Sequence, residues 1–325
     1  MTPLFHRRSE EEKAAERAAR QARAEDAQRS AQRTAASLER IEQGHIPLSA
    51  AERLQQFAQS ADGPTPPGGD RPFSSDLEVS EWSAVARLGI SPITQVMGSS
   101  IYHVGWQPTY YNVPTEVRIL SDAYNESRRL ALGRLLEEAQ MCAADAVLAV
   151  RIEENAHELA AGAVEFVAVG TAVRLPPALR EPGAGTVLSD LSGQQFAQLV
   201  QAGVRPVGIA AHTSVHYVPA SAQTQQAQGG FGASWANQEL TDFSRGVYEA
   251  REKALASIAN QVRQLGADGV IGVEVREHSR THAVRRGFYD SQDLEVTFHV
   301  MGTAIREDPQ LASEPGLSPP LTIVS

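Results

Sequence analysis

The sequence predicts an α+β protein built from two tandem copies of one module, in which an antiparallel sheet packs on one long helix. Residues 124–145 align without a gap on residues 247–268. Each stretch runs into a valine-rich segment and then into a G-T-A-[VI]-R ending. An internal repeat of this length is the strongest architectural signal that a sequence can carry, so it decides the fold class. Further helices are expected before the first copy.

The N-terminal segment, residues 1–61, is expected to be helical and partly disordered. Residues 10–36 consist of good helix formers with balanced charge. Their apolar positions are nearly all alanine, which buries too little area to hold a coiled coil, so a solvated helix is favoured over a partner-binding one. Gly44 is expected to end this helix, and Ser49 with Glu52 is typical of a capping box that opens a second, short helix.

The module boundaries follow from composition. Residues 62–72 and 176–186 are rich in Pro and Gly and are interpreted as linkers, and the Pro-rich residues 307–325 as a disordered tail. The modules are therefore expected at 73–175 and 187–306. Matched residues are offset by 114 positions at the front (206 − 92), by 123 in the long helix (268 − 145) and by 132 in the closing strand (302 − 170). The insertions thus fall between elements, where loops tolerate them.

Each module is predicted to contain the same elements in the same order. A short amphipathic helix ends at Gly89 or Gly203, an apolar segment led by a proline follows, and then comes the long helix. Five apolar positions of the long helix form one stripe in each copy, which is the spacing of a helix that covers a sheet. They are Leu132, Leu135, Leu136, Ala139 and Cys142 in the first copy, and Leu255, Ile258, Ala259, Val262 and Leu265 in the second. A turn and a β-hairpin complete the module.

Composition excludes several classes of function. A formal net charge of −10 argues against nucleic-acid binding, which needs clustered Lys and Arg. The single cysteine, Cys142, rules out an internal disulfide framework and is expected to be a small core residue. No run of eighteen apolar residues and no secretory signal is seen, so we expect no membrane span and a cytoplasmic location.

The motifs of the second copy resemble the YbjQ-like family, labelled "putative heavy-metal-binding domain". The resemblance is carried by Y-E-A-R-E-K-A-L, V-R-Q-L-G-A-D-G-V-I-G-V-E-V and the closing V-M-G-T-A-I. It implies a dodecin-like module that assembles into rings of five, with no catalytic residues to transfer. The first copy departs from the pattern, because Cys142 and Ala143 stand where the family has Leu and Gly.

The family label implies metal ligands, and histidines are the candidates. His212 and His216 are four residues apart, as are His278 and His282, but both pairs fall on expected strands. Four residues of strand span about 13 Å, whereas zinc ligands lie about 2 Å from the metal. A divalent transition metal would therefore need histidines from different strands, for example His278 with His299, or a site at a boundary between subunits. The other interpretation is that these are surface, interface or hydrogen-bonded core histidines.

An enzyme is not expected. The sequence has no nucleophile elbow, P-loop or zinc-hydrolase helix, and Asp145 and Asp268 are interpreted as turn residues. The insertion at 219–238 is interpreted as a flexible extension whose Phe231 and Trp235 could contact a partner.

The leading hypothesis is a non-enzymatic oligomeric binding or scaffold protein that assembles through sheet edges. Five chains in two stacked rings are favoured, and three chains in one pseudo-sixfold ring are the alternative. A second hypothesis is a protein that sequesters a heavy metal through the five histidines of the second module. A third is a membrane-peripheral adaptor, disfavoured because the N-terminal helix lacks large apolar residues. A protein partner could bind that helix or the 219–238 loop.

Overall fold

The computed structural model describes residues 10–58, 74–105, 111–156, 162–228, 237–286 and 289–312. The helices are α1 Glu10–Glu42, α2 Leu48–Ala58, α3 Val79–Arg87, α4 Arg118–Met141, α5 Gly193–Gln201, α6 Ala222–Gln228, α7 Thr241–Gln264 and α8 Pro309–Ala312. The strands are β1 Ser91–His103, β2 Thr115–Glu116, β3 Ala146–Ala156, β4 Ala163–Arg174, β5 Val187–Leu188, β6 Val204–Val218, β7 Gly269–Arg286 and β8 Tyr289–Glu307. The prediction of α+β tandem modules behind N-terminal helices is confirmed.

The two halves have the same topology. Strands β1, β4 and β3 form an antiparallel sheet in that order, and β6, β8 and β7 form its counterpart. The ladders share their irregularities: the register shifts after Pro92 and after Pro206, and again after Leu148 and after Ile271. Bulges are specific features of a fold, so bulges at matched positions show that the two copies share their strand pairing as well as a sequence motif.

Residues with positive φ end the helices and form the bulges at matched positions. Gly89 and Gly203 follow α3 and α5 with φ of 71° and 75°. After α4, Ala143 takes φ of 53° where Gly266 has 63°, so the first module keeps the turn without glycine. A non-glycine residue in this region costs roughly 1 kcal/mol or more, which the surrounding packing must offset.

Each long helix covers one face of its sheet through small residues. In α4 the buried line runs through Ala131, Leu135 and Ala139, and Cys142 continues it as a free, fully buried thiol. In α7 the line is Ala250, Ala254, Ile258 and Val262. The stripe predicted from the sequence is confirmed in the first copy, where its five residues are buried or half-buried. In the second copy it is confirmed at Leu255, Ile258 and Val262 and wrong at Ala259 and Leu265, which are exposed. Leu265 is the C-cap of the helix and is 39% exposed.

The sheets do not stop at the predicted module boundaries. Strand β5, from the front of the second module, adds to β3 of the first, and β2 of the first module adds to β6 of the second. The full strand orders are therefore β1-β4-β3-β5 and β2-β6-β8-β7. This exchange was not predicted, because it depends on how the modules sit side by side.

The N-terminal helices divide into an exposed and a docked part. Most of α1 is exposed, whereas Ile46 and Leu54 are buried against the first module, and Arg40 pairs with Glu137 at 2.9 Å. The predicted cap at Ser49 is wrong by two residues. Helix α2 already begins at Leu48, because the carbonyl of Pro47 accepts the first bonds, from the N–H groups of Ala50 and Ala51.

The predicted linkers and tail are partly structured. A 3-10 turn at Pro177–Leu179 occupies the second linker, α6 lies within the 219–238 insertion, and α8 lies within the expected tail. Leu179 and Leu311 are buried, and this burial orders both segments. The first linker at 62–72, the insertion's Phe231 and Trp235 and the tail beyond 312 lie outside the described residues. No helix among the described residues is long and apolar enough to cross a membrane.

We predict that Gly98→Ala destabilises the first module. Helix α4 lies so close to β1 that a Cβ at Gly98 would overlap the carbonyl oxygen of Ala131 and lie 2.5 Å from the amide nitrogen of Leu135. Overpacking of this kind costs about 1–3 kcal/mol. Gly133→Ala in α4 is the control: nothing lies within 4 Å of its added Cβ, and alanine is the better helix former. Thermal unfolding that ranks the two variants equally would contradict this prediction.

Candidate functional site at the joint between the modules

The two modules are joined first by strand addition. In the parallel pair of β5 with β3, Val187 lies opposite Ala146 and Leu188 opposite Val147. The pairing continues past β5: Ser189 donates its N–H to Val147 at 2.9 Å and accepts from Val150 at 3.0 Å. A residue of the second module thus covers the edge strand of the first, which would otherwise present unpaired N–H and C=O groups.

The segment that reaches across is held by its own module. The hydroxyl of Thr303 lies 3.1 Å from that of Ser189 and accepts the N–H of Asp190 at 3.1 Å. Leu191 donates to the Ser189 hydroxyl at 3.2 Å. We call Ser189–Leu191 the second S-D-L segment. Its inner side is thereby fixed on β8 while its outer side bonds to β3.

A reciprocal exchange lies at the other end of the joint. Thr115 and Glu116 in β2 pair with Tyr217 and His216 in β6, and Val117 donates its N–H to Val215 at 2.8 Å. Val117, Val215 and Tyr217 are buried together, with Tyr124 at the edge of the cluster. The first module therefore covers the edge of the second module's sheet as well.

A buried polar cluster fills the middle of the joint. Arg128 in α4 donates at 2.8 Å to the hydroxyl of Thr213 in β6, and that oxygen lies 2.8 Å from Nδ1 of His299 in β8. The Thr213 hydroxyl can accept from Arg128 and can also either donate to Nδ1 or accept from it, so this contact is compatible with both neutral tautomers of His299. Nε2 lies 3.1 Å from Glu154, and Tyr124 bonds to the same carboxylate.

Burial governs the charge states in this cluster. It raises the pKa of Glu154 and lowers the pKa of Arg128 to about 10, although each charge favours the other. Burial together with Arg128 lowers the pKa of His299 to about 3, so the imidazole is neutral at pH 7. Its Nε2 makes no hydrogen bond among the described residues, although a carboxylate oxygen of Glu154 lies 3.1 Å away.

The five histidines proposed as metal ligands do not converge. The rings of His299 and His278 meet edge to face with their centroids 6.1 Å apart, and His299 lies near Glu154. His212 and His216 lie on β6 with their pKa values lowered by burial, and His282 on β7 lies 3.4 Å from Glu295. Over the part of the chain that the structure describes, no three His, Cys, Asp or Glu side chains form a group able to hold a metal ion.

The other candidate residues have structural roles. Asp145 and Asp268 accept the N–H groups of Leu175 and Glu307 at 2.8 and 2.9 Å, which closes equivalent turns in the two modules. Burial, with a smaller contribution from Glu138, raises the pKa of the Cys142 thiol to about 12. A thiol that stays protonated at pH 7 is a poor nucleophile, in agreement with its interpretation as a core residue.

Two cavities lie at the joint. The larger, about 340 Å³, is lined by Asp145, Leu175, Arg180, Phe196, Arg205 and Leu311. Its arginines are engaged: Arg180 with Asp145 at 3.1 Å, and Arg205 with Asp308 at 2.8 Å. The smaller, about 40 Å³, lies beside Glu154 and His299 and has room for a water molecule or two but not for an organic ligand.

Sequence reasoning named one residue of the central cluster, His299, and missed Tyr124, Arg128, Glu154 and Thr213. Arg128 and Glu154 left a signal, because the repeat places Arg251 and Glu277 at the matching positions. A charged pair retained in both copies, one member on an otherwise covering helix and the other on a strand, indicates a shared contact. Thr213 and Tyr124 left none.

Comparison with known proteins identifies one family over both modules. The profile of the family YbjQ_1, described as "Putative heavy-metal-binding", matches residues 93–176 and again residues 224–307. The two matches fall on the two halves that share a topology. No solved structure matches the chain.

Among curated proteins, the chain is similar to the "Encapsulin nanocompartment protein Rv1762c" of Mycobacterium tuberculosis. The two are 32% identical over 242 residues, which covers 73% of this chain and 87% of that protein. It is also 40% identical over 58 residues to a UPF0145 protein of Clostridium perfringens, and 36% identical over 62 residues to one of Thermosipho melanesiensis. These matches span about half of each UPF0145 protein, 53% and 56%.

We predict that acid weakens the joint through His299. The pKa of His299 is lowered in the folded protein, so the unfolded chain binds its proton first, and stability falls as the pH drops below about 6.5. Between pH 7.5 and pH 5 the loss from this one group is about 2 kcal/mol. Urea unfolding should show that His299→Gln reduces the pH dependence by this amount. The control His282→Gln lies outside the cluster, and an equal reduction there would contradict the assignment.

Proposed function

The chain belongs to the YbjQ-like family, and we propose that it works as a non-enzymatic oligomeric scaffold whose modules join face to face in a repeating order. The observation that carries this proposal is the composition of the joint. The first module contributes α4 and the edge of β3, whereas the second contributes β6, β8 and the S-D-L segment. The contacting faces are unlike, so the joint is heterologous.

A heterologous joint pairs two different faces, so it leaves one face of each kind unpaired on the chain. Each module carries one face of each kind, and a chain of two modules uses only one pair. The remaining face of the first module and the remaining face of the second are complementary in kind, so chains can add to each other until a ring closes. This is the physical reason to expect assembly, and a two-fold dimer would lack it.

The relatives support the same class of function. The Mycobacterium tuberculosis relative is named as an encapsulin nanocompartment protein, and the UPF0145 relatives carry no enzymatic name. We infer that this chain too takes part in an assembly of many subunits. A cytoplasmic location fits this role. The ligand of the scaffold, if it carries one, is not named by any of these relatives.

The joint also bears on ring geometry. Two stacked five-membered rings would place the two modules of a chain in different rings. Within the chain, however, the modules lie side by side and share strands, which favours neighbouring places in one ring. We therefore propose a single ring with an even number of modules, of which the pseudo-sixfold ring of three chains is one form.

A second candidate function is metal binding, favoured by one observation. His278 and His299 lie on adjacent strands near Glu154. These three side chains do not form a complete metal-binding group among the described residues, so a metal here would need further ligands from a neighbouring subunit. His212, His216 and His282 would have to act separately from this group. In this proposal the metal is a divalent transition metal, held between modules, and its removal would loosen the joint.

We predict that the purified chain sediments as a multiple of its 35.0 kDa mass. Because two complementary faces remain on each chain, the oligomer should persist as the protein is diluted to the low micromolar range. Analytical ultracentrifugation and native mass spectrometry report the number of chains. A single species of 35.0 kDa across this range would contradict the scaffold proposal.

Metal content separates the second candidate function from the first. If the joint holds a metal, elemental analysis should find close to one zinc, copper or nickel per chain, and His278→Ala should abolish it. A control variant, His45→Ala, replaces a half-exposed histidine far along the sequence from the second module. Protein free of these metals that still forms the oligomer would remove metal binding and leave the scaffold.

A further inference from the structure

The surfaces that form the joint between the two modules occur once more on each chain, on the outer side of each module and without a partner in the described part of the chain. On the free edge of β7, no strand pairs within the described residues, whereas the matched edge of β3 carries β5. On β1 the outer edge is likewise open, whereas the matched edge of β6 carries β2. A chain therefore exposes one half-joint at each end.

Matched apolar side chains are buried in the closed joint and exposed on its open copies. At four matched pairs an apolar side chain is buried in the closed joint and exposed in the open one. Ile152 is 8% exposed and Val275 50%; Val150 is 1% and Val273 42%; Val215 is 0% and Ile101 65%; Phe196 is 2% and Trp82 41%. Large apolar side chains exposed in this pattern mark an interaction surface.

The segment needed to close the open joint is already shaped for it. Ser75–Leu77, the first S-D-L segment, is held on Thr171 as the second is held on Thr303. The Ser75 hydroxyl lies 3.3 Å from that of Thr171, which accepts the N–H of Asp76 at 3.0 Å, and Leu77 donates to Ser75 at 3.1 Å. Pre-organisation of this kind lowers the entropic cost of binding.

We infer that the partner of these surfaces is a second copy of this chain, whose Ser75–Leu77 segment adds as a strand to the edge of β7. This inference rests on the proposed function and names the surfaces that it uses. In the closed joint, Ser189 bonds to Val147 and Val150. The matching contact joins Ser75 of the incoming chain to Val270 and Val273 of the receiving one.

The other exchange is reproduced in the same joint. In the closed joint Thr115 lies opposite Tyr217. The repeat offsets place Gln238 and His103 at these positions, so Gln238 of the receiving chain lies opposite His103 of the incoming one. In the closed joint Val215 packs near Tyr124. Val247 stands at the position of Tyr124, so Val247 of the receiving chain faces Ile101 of the incoming chain, and the 65% exposed Ile101 leaves water.

The joint between chains differs from the closed joint in its polar centre. Arg128 and Glu154 have counterparts in Arg251 and Glu277, but Val167 stands at the position of His299, and Ser99 at that of Thr213. A hydroxyl acceptor for Arg251 is retained. The titratable ring is not, so the joint between chains lacks the acid sensitivity that His299 brings to the joint within a chain.

Two charge substitutions on opposite faces test the inference. Val275→Asp blocks the receiving face and Ile101→Asp blocks the incoming face, and both positions are at least half exposed, so the fold should tolerate them. Each variant alone should sediment at 35.0 kDa. An equimolar mixture should give a two-chain species, because one pair of intact faces remains. The control Leu38→Asp replaces a 56% exposed apolar residue on α1 and should leave the oligomer intact.

The outcomes separate this inference from the proposed function. A wild-type protein that is itself monomeric overturns both. If the wild type is an oligomer and neither Val275→Asp nor Ile101→Asp dissociates it, the scaffold proposal stands and the inferred surface is wrong. Dissociation by Leu38→Asp alone would assign the assembly to α1 instead, which also overturns it. Variants that dissociate singly but give no two-chain species when mixed exclude the heterologous order.

Cross-linking provides a second measurement that needs no disrupted surface. Gln238→Cys and His103→Cys are both exposed single substitutions, and the buried Cys142 stays in place. When the two variants are co-expressed with different tags and oxidised, a disulfide should join unlike tags, since paired strand positions lie within disulfide reach. Either variant alone should give no cross-linked dimer. Cross-links between chains with the same tag would overturn the inference. So would the absence of any cross-link between the two variants, if the wild-type protein is shown to be an oligomer.

Discussion

An uncovered edge strand is the constraint on which this structure depends. Each module builds a three-stranded sheet whose outer strands, β3 and β1 or β7 and β6, would expose rows of unpaired backbone groups. Isolated sheets must hide such edges by charge, bulge or cover. Here the cover comes from the neighbouring module, through β5 and β2, so that neither module completes its own sheet. Folding and association are consequently parts of one process.

The polar centre of the joint contributes selectivity more than stability. Burying Arg128, Glu154 and His299 costs desolvation, and a well-packed apolar centre would often be as stable. A face without Thr213 and His299 would change the contacts of Arg128. We regard this as a reason that the joint within a chain and the proposed joint between chains have different polar centres.

Much of the fold could be predicted from the sequence, because its signals are local. The repeat, the glycines after α3 and α5 and the apolar line of α4 each report a contact inside one module. The joint could not be predicted in the same way. The matching S-D-L tripeptides were visible, but nothing within either of them tells that one side bonds to its own module and the other to a neighbour. Leu265 was misplaced for a related reason, since periodicity alone does not show where a helix ends.

For the histidines too, the sequence shows what depends on one strand and does not show what depends on how the modules meet. That pairs four apart on a strand cannot share a metal follows from strand geometry. The position of His299 against Arg128 and Thr213 follows only from the way the modules meet. The sequence-based list of ligands therefore combined His299 of the buried cluster with four histidines whose surroundings differ, two of which, His216 and His278, also lie at the joint.

Helix α1 would give the proposed assembly a property that the modules lack. Its 33 residues correspond to a rod about 50 Å long, anchored near its C-terminal end through Arg40 and Glu137. Every subunit thus carries an arm comparable in length to a small domain. In the proposed assembly, repeated α1 helices would keep a partner bound at their N-terminal ends at a fixed distance from the modules, and would present several copies of that end at once.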